Sequence, residues 1–116
     1  MGPFKDGWTM QEVEEVIGKG DPDELLYVPI IVSMDPPDPE WAQEICLKLV
    51  NHNHWKVRGN SILGFGHLAR TTGTLDRERV LPLVKSALSD PHKYVRGHAH
   101  DAAEDIKNYL GWSFPE

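Results

Sequence analysis

The residues of this chain best suited to chemistry near neutral pH are its six histidines: His52, His54, His67, His92, His98 and His100. A transition metal needs three or four ligands converging on one point. His52 and His54 share a turn. His98 and His100 share a helix, with His100 and Glu104 four apart on one side of it. That supplies a pair of ligands at most, so no metal and no cofactor is expected. Cys46 is the single cysteine. It sits in the apolar run Ile45-Cys46-Leu47, where a thiol is buried and inert because no basic neighbour lowers its pKa. The serines Ser33, Ser61, Ser86, Ser89 and Ser113 include none on a strand-to-helix elbow. Gly64-Phe65-Gly66 lacks both the preceding strand and the following lysine of a phosphate loop. No catalytic residue is therefore expected. Arg58 and Arg96 invite comparison with phosphate binders, but each stands beside a helix core position in a repeated motif, where a guanidinium staples a turn.

Charge is divided along the chain. The net charge of −6 combines −9 over residues 1–44, where eleven acids meet Lys5 and Lys19, with +6 over 45–100 and −3 over 101–116. The acidic first third repels phosphate and attracts cationic partners. Nucleic-acid binding through the basic middle (Lys48, Lys56, Arg58, Arg70, Arg77, Arg79, Lys85, Lys93, Arg96) is disfavoured by the acidic flanks. With 40% hydrophobic and 26% charged residues, the composition is that of an ordinary globular protein. The longest apolar run, Tyr27 to Val32, is far short of the roughly 20 residues that cross a bilayer. The N-terminus has no secretory h-region. The expected location is cytoplasmic, with no membrane partner.

The elements that must position these residues are helices. Thr9 with Glu12 has capping-box spacing ahead of Val13, Val16 and Ile17, and Gly18 and Gly20 stop that helix. Asp21-Pro22 restarts the chain. Leu25 to Met34 reads as a second helix, kinked or shortened by Pro29. Asp38 caps a third helix over Glu40–Val50. A fourth runs from about Lys56 to Arg70, a fifth from Arg77 to Leu88, and a sixth from Tyr94 to Leu110. No alternating apolar run suggests a strand.

The two halves repeat. Val57-Arg58-Gly59 recurs as Val95-Arg96-Gly97 at an offset of 38. At the same offset Ile45 meets Leu83, Val50 meets Leu88, His54 meets His92, Gly64 meets Ala102 and Leu68 meets Ile106. A unit of helix, turn and helix, twice repeated, cannot bury its apolar face alone and needs a neighbour to stack on.

The segment Ser89-Asp90-Pro91-His92-Lys93-Tyr94-Val95-Arg96-Gly97-His98-Ala99 resembles the inter-helix turn and second-helix start of a HEAT repeat, with Asp90 and Arg96 in the family's positions. Arg58 matches in the preceding copy, where His52 replaces the Asp. Ser61, Gly64, Gly66 and Ala69 have the small-residue texture the family uses for close packing. The resemblance covers about residues 40–110. It implies an all-α chain of three stacked hairpins, about six helices, forming a short right-handed HEAT-like α-solenoid. One domain would span 1–116, with hairpins at about 9–34, 39–70 and 76–110. The iron-carrying HEAT-repeat hydroxylases use adjacent His-Glu pairs, which this chain lacks.

Second helices of such repeats line the inner side of the slab. With Val95, Ala99, Ala102 and Ile106 turned inward, His98, Asp101, Asp105 and Asn108 share an outer edge. The equivalent edge of the preceding repeat holds Asn60, Leu63, His67 and Arg70. This ridge, with Glu24, Tyr27 and Trp55, is the expected partner-binding surface, and Leu63 is its out-of-place apolar residue. In size, charge and helical repeats the chain also resembles the small all-helical immunity proteins of bacterial contact-dependent growth inhibition. That resemblance implies a non-catalytic inhibitor of a basic toxin or nuclease domain. The alternatives are a HEAT-repeat scaffold or adaptor, and a HEAT-like nucleic-acid binder.

Overall fold

Four helices begin where a short polar side chain accepts a backbone N–H that the helix leaves without a partner. Thr9 Oγ1 accepts from Glu12 N at 3.1 Å, Asp21 Oδ1 from Asp23 N at 3.0 Å, Asp38 Oδ1 from Trp41 N at 3.2 Å and Asp76 Oδ1 from Arg79 N at 3.4 Å. They open α1 (Met10–Lys19), α2 (Pro22–Leu25), α4 (Pro39–Leu49) and α6 (Arg77–Ala87). The other three are α3 (Val28–Met34), α5 (Trp55–Thr72) and α7 (Lys93–Leu110). Gly20, Gly73 and Gly111 end α1, α5 and α7 in the left-handed conformation, with φ of 73°, 69° and 72°. The computed structural model describes residues 1–114. Among them there are seven helices and no strand, only an isolated bridge between Lys5 and Gly7.

The chain is all-helical, as expected, but with seven helices in place of about six. The expected Leu25–Met34 helix is shortened to α3, which starts at Val28 with Pro29 in its first turn, and a separate short helix, α2, ends at Leu25 just before it. Proline has no N–H to donate to the preceding turn, so the helix restarts around it instead of running through.

Helix α5 is the centre of the packing. It lies between α3 and α7, while α4 packs on α3 and α5, and α6 on α7 and α5. Small residues permit the approach. A Cβ on Gly64 would fall 2.8 Å from Cys46 Sγ and 3.2 Å from Pro29 O, and one on Gly66 would fall 2.9 Å from Ala102 Cα. Phe65, Ile62, Leu68, Ile45, Val57, Val80 and Val84 are fully buried in one cluster that runs from Phe4 to Ile106. Each large apolar side chain so buried contributes about 1.5–3 kcal/mol. Val95, Ala99, Ala102 and Ile106 form the inward stripe of α7, as the wheel predicts. Cys46 is fully buried, and desolvation pushes its thiol up to about 12. Aromatic residues close both ends. Trp8 stacks on Trp41 with ring centres 6.0 Å apart, and Trp112 and Phe114 are half-buried against the core. No helix among the described residues is long and apolar enough to cross a membrane.

Candidate functional site

The repeated turn is built twice on the same pattern. In the first copy His52 Nδ1 accepts from His54 N at 3.0 Å, and His54 Nδ1 accepts from Lys56 N at 3.2 Å, capping α5. In the second, Asp90 Oδ1 accepts from His92 N at 2.8 Å, and His92 Nδ1 accepts from Tyr94 N at 3.1 Å, capping α7. His52 therefore does the work of the aspartate it replaces. An accepting Nδ1 carries no proton, which places the proton of each neutral ring on Nε2. The arginines complete the turns, as their repetition predicts. Arg58 Nη1 donates to His52 O (3.3 Å) and Asn53 O (3.2 Å), and Arg96 Nη1 donates to Asp90 O (2.8 Å).

Arg58 also joins the two copies. Its Nε and Nη2 donate to the two oxygens of Asp90 at 2.8 and 2.9 Å. The side chains are only 21% and 11% exposed, so the pair is shielded from solvent. The guanidinium's hydrogen bonds hold Asp90 below the usual carboxylate range. Beside this pair Tyr94 lies over Gly59, where a Cβ would fall 2.7 Å from the ring. Its hydroxyl donates to Asn60 Oδ1 at 2.6 Å, and Asn60 Nδ2 donates to Leu26 O at 2.7 Å.

These contacts put an aromatic surface on the outside of α5 and α7. Trp55 stacks on His92 with centres 4.2 Å apart and planes 6° apart, and meets Tyr94 edge-on at 5.0 Å. Tyr94 in turn touches His98 at 4.2 Å. Trp55, His92, Lys93, Tyr94, Gly97, His98 and Asp101 line one open groove. His98 is held below the usual histidine range by burial, against the opposing pull of Asp101. It therefore presents a neutral ring at pH 7.

The expected ridge divides. Trp55, His98 and Asp101 come together in the groove. Asn60 is a correction: it is buried, 5% exposed, with both ends of its amide bonded inside the protein, so it supports the groove from within instead of meeting a partner. Leu63 is half-buried and outside the groove lining. His67 is half-buried and bonds through Nδ1 to Ser33 Oγ at 3.1 Å, and its proton affinity is lowered chiefly by burial, with Arg70 lowering and Asp105 raising it. Ser33, His67 and Asp105 bring together the residue types of a hydrolytic triad. However, Ser33 is fully buried and its hydroxyl donates to Pro29 O at 2.6 Å within α3, so it is its bond to His67 that ties α3 to α5. Asn108 faces a different hollow, beside Trp112 and Phe114. Glu24 and Tyr27 flank the junction of α2 and α3, with the Tyr27 ring over Gly2, away from the groove lining. Among the described residues no three His, Cys, Asp or Glu side chains converge to hold a metal.

Tyr94, Gly97, His92 and Lys93 are groove residues that sequence reasoning did not assign to the partner-binding surface. The signal was the offset of 38, which makes Gly97 the counterpart of Gly59. The chain matches no family model, no curated protein and no solved structure.

Proposed function

We propose that this chain is a non-catalytic protein-binding module whose docking surface is the groove of Trp55, Tyr94, His98 and Asp101. The observation that carries the reading is the groove itself, a contiguous aromatic and histidine surface built from the half-buried Trp55, His92, Tyr94 and His98. Aromatic side chains so placed are the anchors that dominate binding energy at protein interfaces. The row of α3, α5 and α7, backed by α4 and α6, supports the finer reading of stacked HEAT-like hairpins, whose second helices commonly form a binding face.

The partner we infer is a basic protein, as for an immunity-type inhibitor of a toxin or nuclease domain. Ten of the eleven acids in residues 1–44 are exposed, and Glu44 alone among them is paired with a cation, Arg79, among the described residues. An uncompensated acidic end steers a basic partner onto the protein at long range. Binding to nucleic acid is supported less well, because Arg58 and Arg79 are engaged with Asp90 and Glu44 and Arg96 holds a carbonyl.

The test is recovery of partners from the source cell with the wild-type chain and with Trp55→Ala as baits. The expected result is one basic protein in stoichiometric amount, lost with Trp55→Ala, whose own activity falls when the chain is added back. Recovery of nucleic acid without protein, released by salt, contradicts the reading.

A further inference from the structure

Glycine inside a helix is unfavourable, and three of the glycines in α5 have a packing reason to be there. Gly59, Gly64 and Gly66 all face atoms that a Cβ would strike within 2.7–2.9 Å. Gly97, in the first half of α7, has none: a Cβ there meets nothing within 4 Å. The cost of a mid-helix glycine is carried at position 97 without any contact inside the protein to require it.

The repeat supplies the reason. Gly59 is the floor of a seat in which the Tyr94 ring lies, with Asn60 taking its hydroxyl and Arg58 taking the carboxylate of Asp90, four residues before the tyrosine. At the offset of 38, Arg58, Gly59 and Asn60 become Arg96, Gly97 and His98. Trp55 and Leu63, on the same face of α5, become Lys93 and Asp101. Lys93, Gly97, His98 and Asp101 all line the open groove. Arg96 holds Asp90 O with Nη1 but makes no ion pair among the described residues.

We propose that α7 presents a second copy of the seat that α5 provides for Tyr94, left open for the start of a partner's helix that carries a tyrosine and, four residues earlier, a carboxylate. The tyrosine ring lies over Gly97 with its hydroxyl on the His98 imidazole, and the carboxylate pairs with Arg96. The partner thus continues, from outside, the interface by which α7 packs on α5. Two replacements suit a reversible contact. Lys93 offers a cation to the ring where Trp55 offers an indole, and Asp101 keeps the rim wet where Leu63 is apolar. The partner's overall basic charge and the single carboxylate of its docking turn are separate requirements: the first governs encounter, the second fit.

The inference rests on the reading of the chain as a protein-binding module, but its test needs no natural partner. The probes are p-cresol, the bare tyrosine side chain, and an acetylated, amidated heptapeptide Asp-Pro-His-Lys-Tyr-Val-Arg. Each is titrated into the 15N-labelled full chain by NMR. Saturable shifts are expected at Lys93, Arg96, Gly97, His98 and Asp101. The heptapeptide should bind at least fivefold more weakly when its tyrosine is alanine, and severalfold more weakly when its aspartate is asparagine. Gly97→Leu fills the seat and should abolish the shifts with the circular dichroism unchanged. Gly18→Leu, at another helical glycine facing open space, should bind as wild type does. Absence of saturable shifts with both probes overturns the proposal, as does equal binding to Gly97→Leu. Failure here leaves the recovery of a Trp55-dependent partner intact. Conversely, a seat that binds both probes in a chain that recovers no protein overturns only the wider reading.

Discussion

Helices α5 and α7 begin with the same turn, the same histidine cap and the same Val-Arg-Gly triplet, yet one face is filled and the other is open. Over Gly59 lies a tyrosine, bonded through its hydroxyl, with a salt-bridged aspartate at its flank. Over Gly97 lies solvent. The same local sequence therefore serves two ends, according to what packs against it. Between α5 and α7 it is cohesion. At α7 it is a surface of the same pattern with nothing packed over its glycine among the described residues. A mutation at equivalent positions should then have unequal, and in one case opposite, effects.

The largest single loss is expected at Arg58. Arg58→Ala removes both bonds to Asp90 and leaves a mostly buried carboxylate unpaired, at a cost of roughly 2–3 kcal/mol in urea unfolding. Arg96→Ala removes a bond to one carbonyl and should cost about 1 kcal/mol. Equal losses would break the comparison.

The glycines sharpen it further. Gly59→Ala drives a methyl into the Tyr94 ring and should destabilise by about 1–3 kcal/mol. Gly97→Ala meets no atom within 4 Å and should stabilise by about 0.5–1 kcal/mol through helix propensity. Thermal melts of the two variants, shifted in opposite directions from wild type, are the check.

Removing the Tyr94 hydroxyl has a smaller effect. Tyr94→Phe leaves Asn60 Oδ1 without its donor in a buried setting and should cost about 1 kcal/mol, read as a lower denaturation midpoint.

The smallest effect is on pH dependence. Burial lowers the pKa of His67 and of His98. The unfolded chain therefore binds protons first as pH falls, and the stability these groups contribute is complete above the unfolded histidine value. It declines as pH drops through that value towards the folded ones. Melting temperature should fall from pH 7.5 to 5.5, and the fall should be shallower in His67→Gln. A melting temperature that rises over this range contradicts the assignment.

Much of the fold was legible because it is written in local chemistry. Thr9, Asp21 and Asp38 cap where the sequence places capping residues, and Asp76 caps α6 in the same way without having been read as a cap. The inward stripe of α7 followed from its 3.6-residue period. The restart before Pro29 was anticipated as a kink or shortening, without the separate short helix that resulted. The site was legible only in part, because side-chain fate depends on what the neighbouring repeat places opposite. Asn60 reads as a surface residue by its helical position, but Tyr94 and Leu26 O enclose it. Tyr94 reads as the start of a helix, but its ring bridges two repeats. Gly97 carries no outward mark of its role, which emerges only when the space around it is set against the space around Gly59.

The measurement that bears most directly on the central claim is hydrogen–deuterium exchange of the chain alone and saturated with the partner recovered by it. Protection confined to the start of α5 and to residues 93–101 of α7 is the predicted footprint. Protection on α1 and α4, with the first half of α7 exchanging as in the free chain, would contradict the claim that the open seat is where this protein binds.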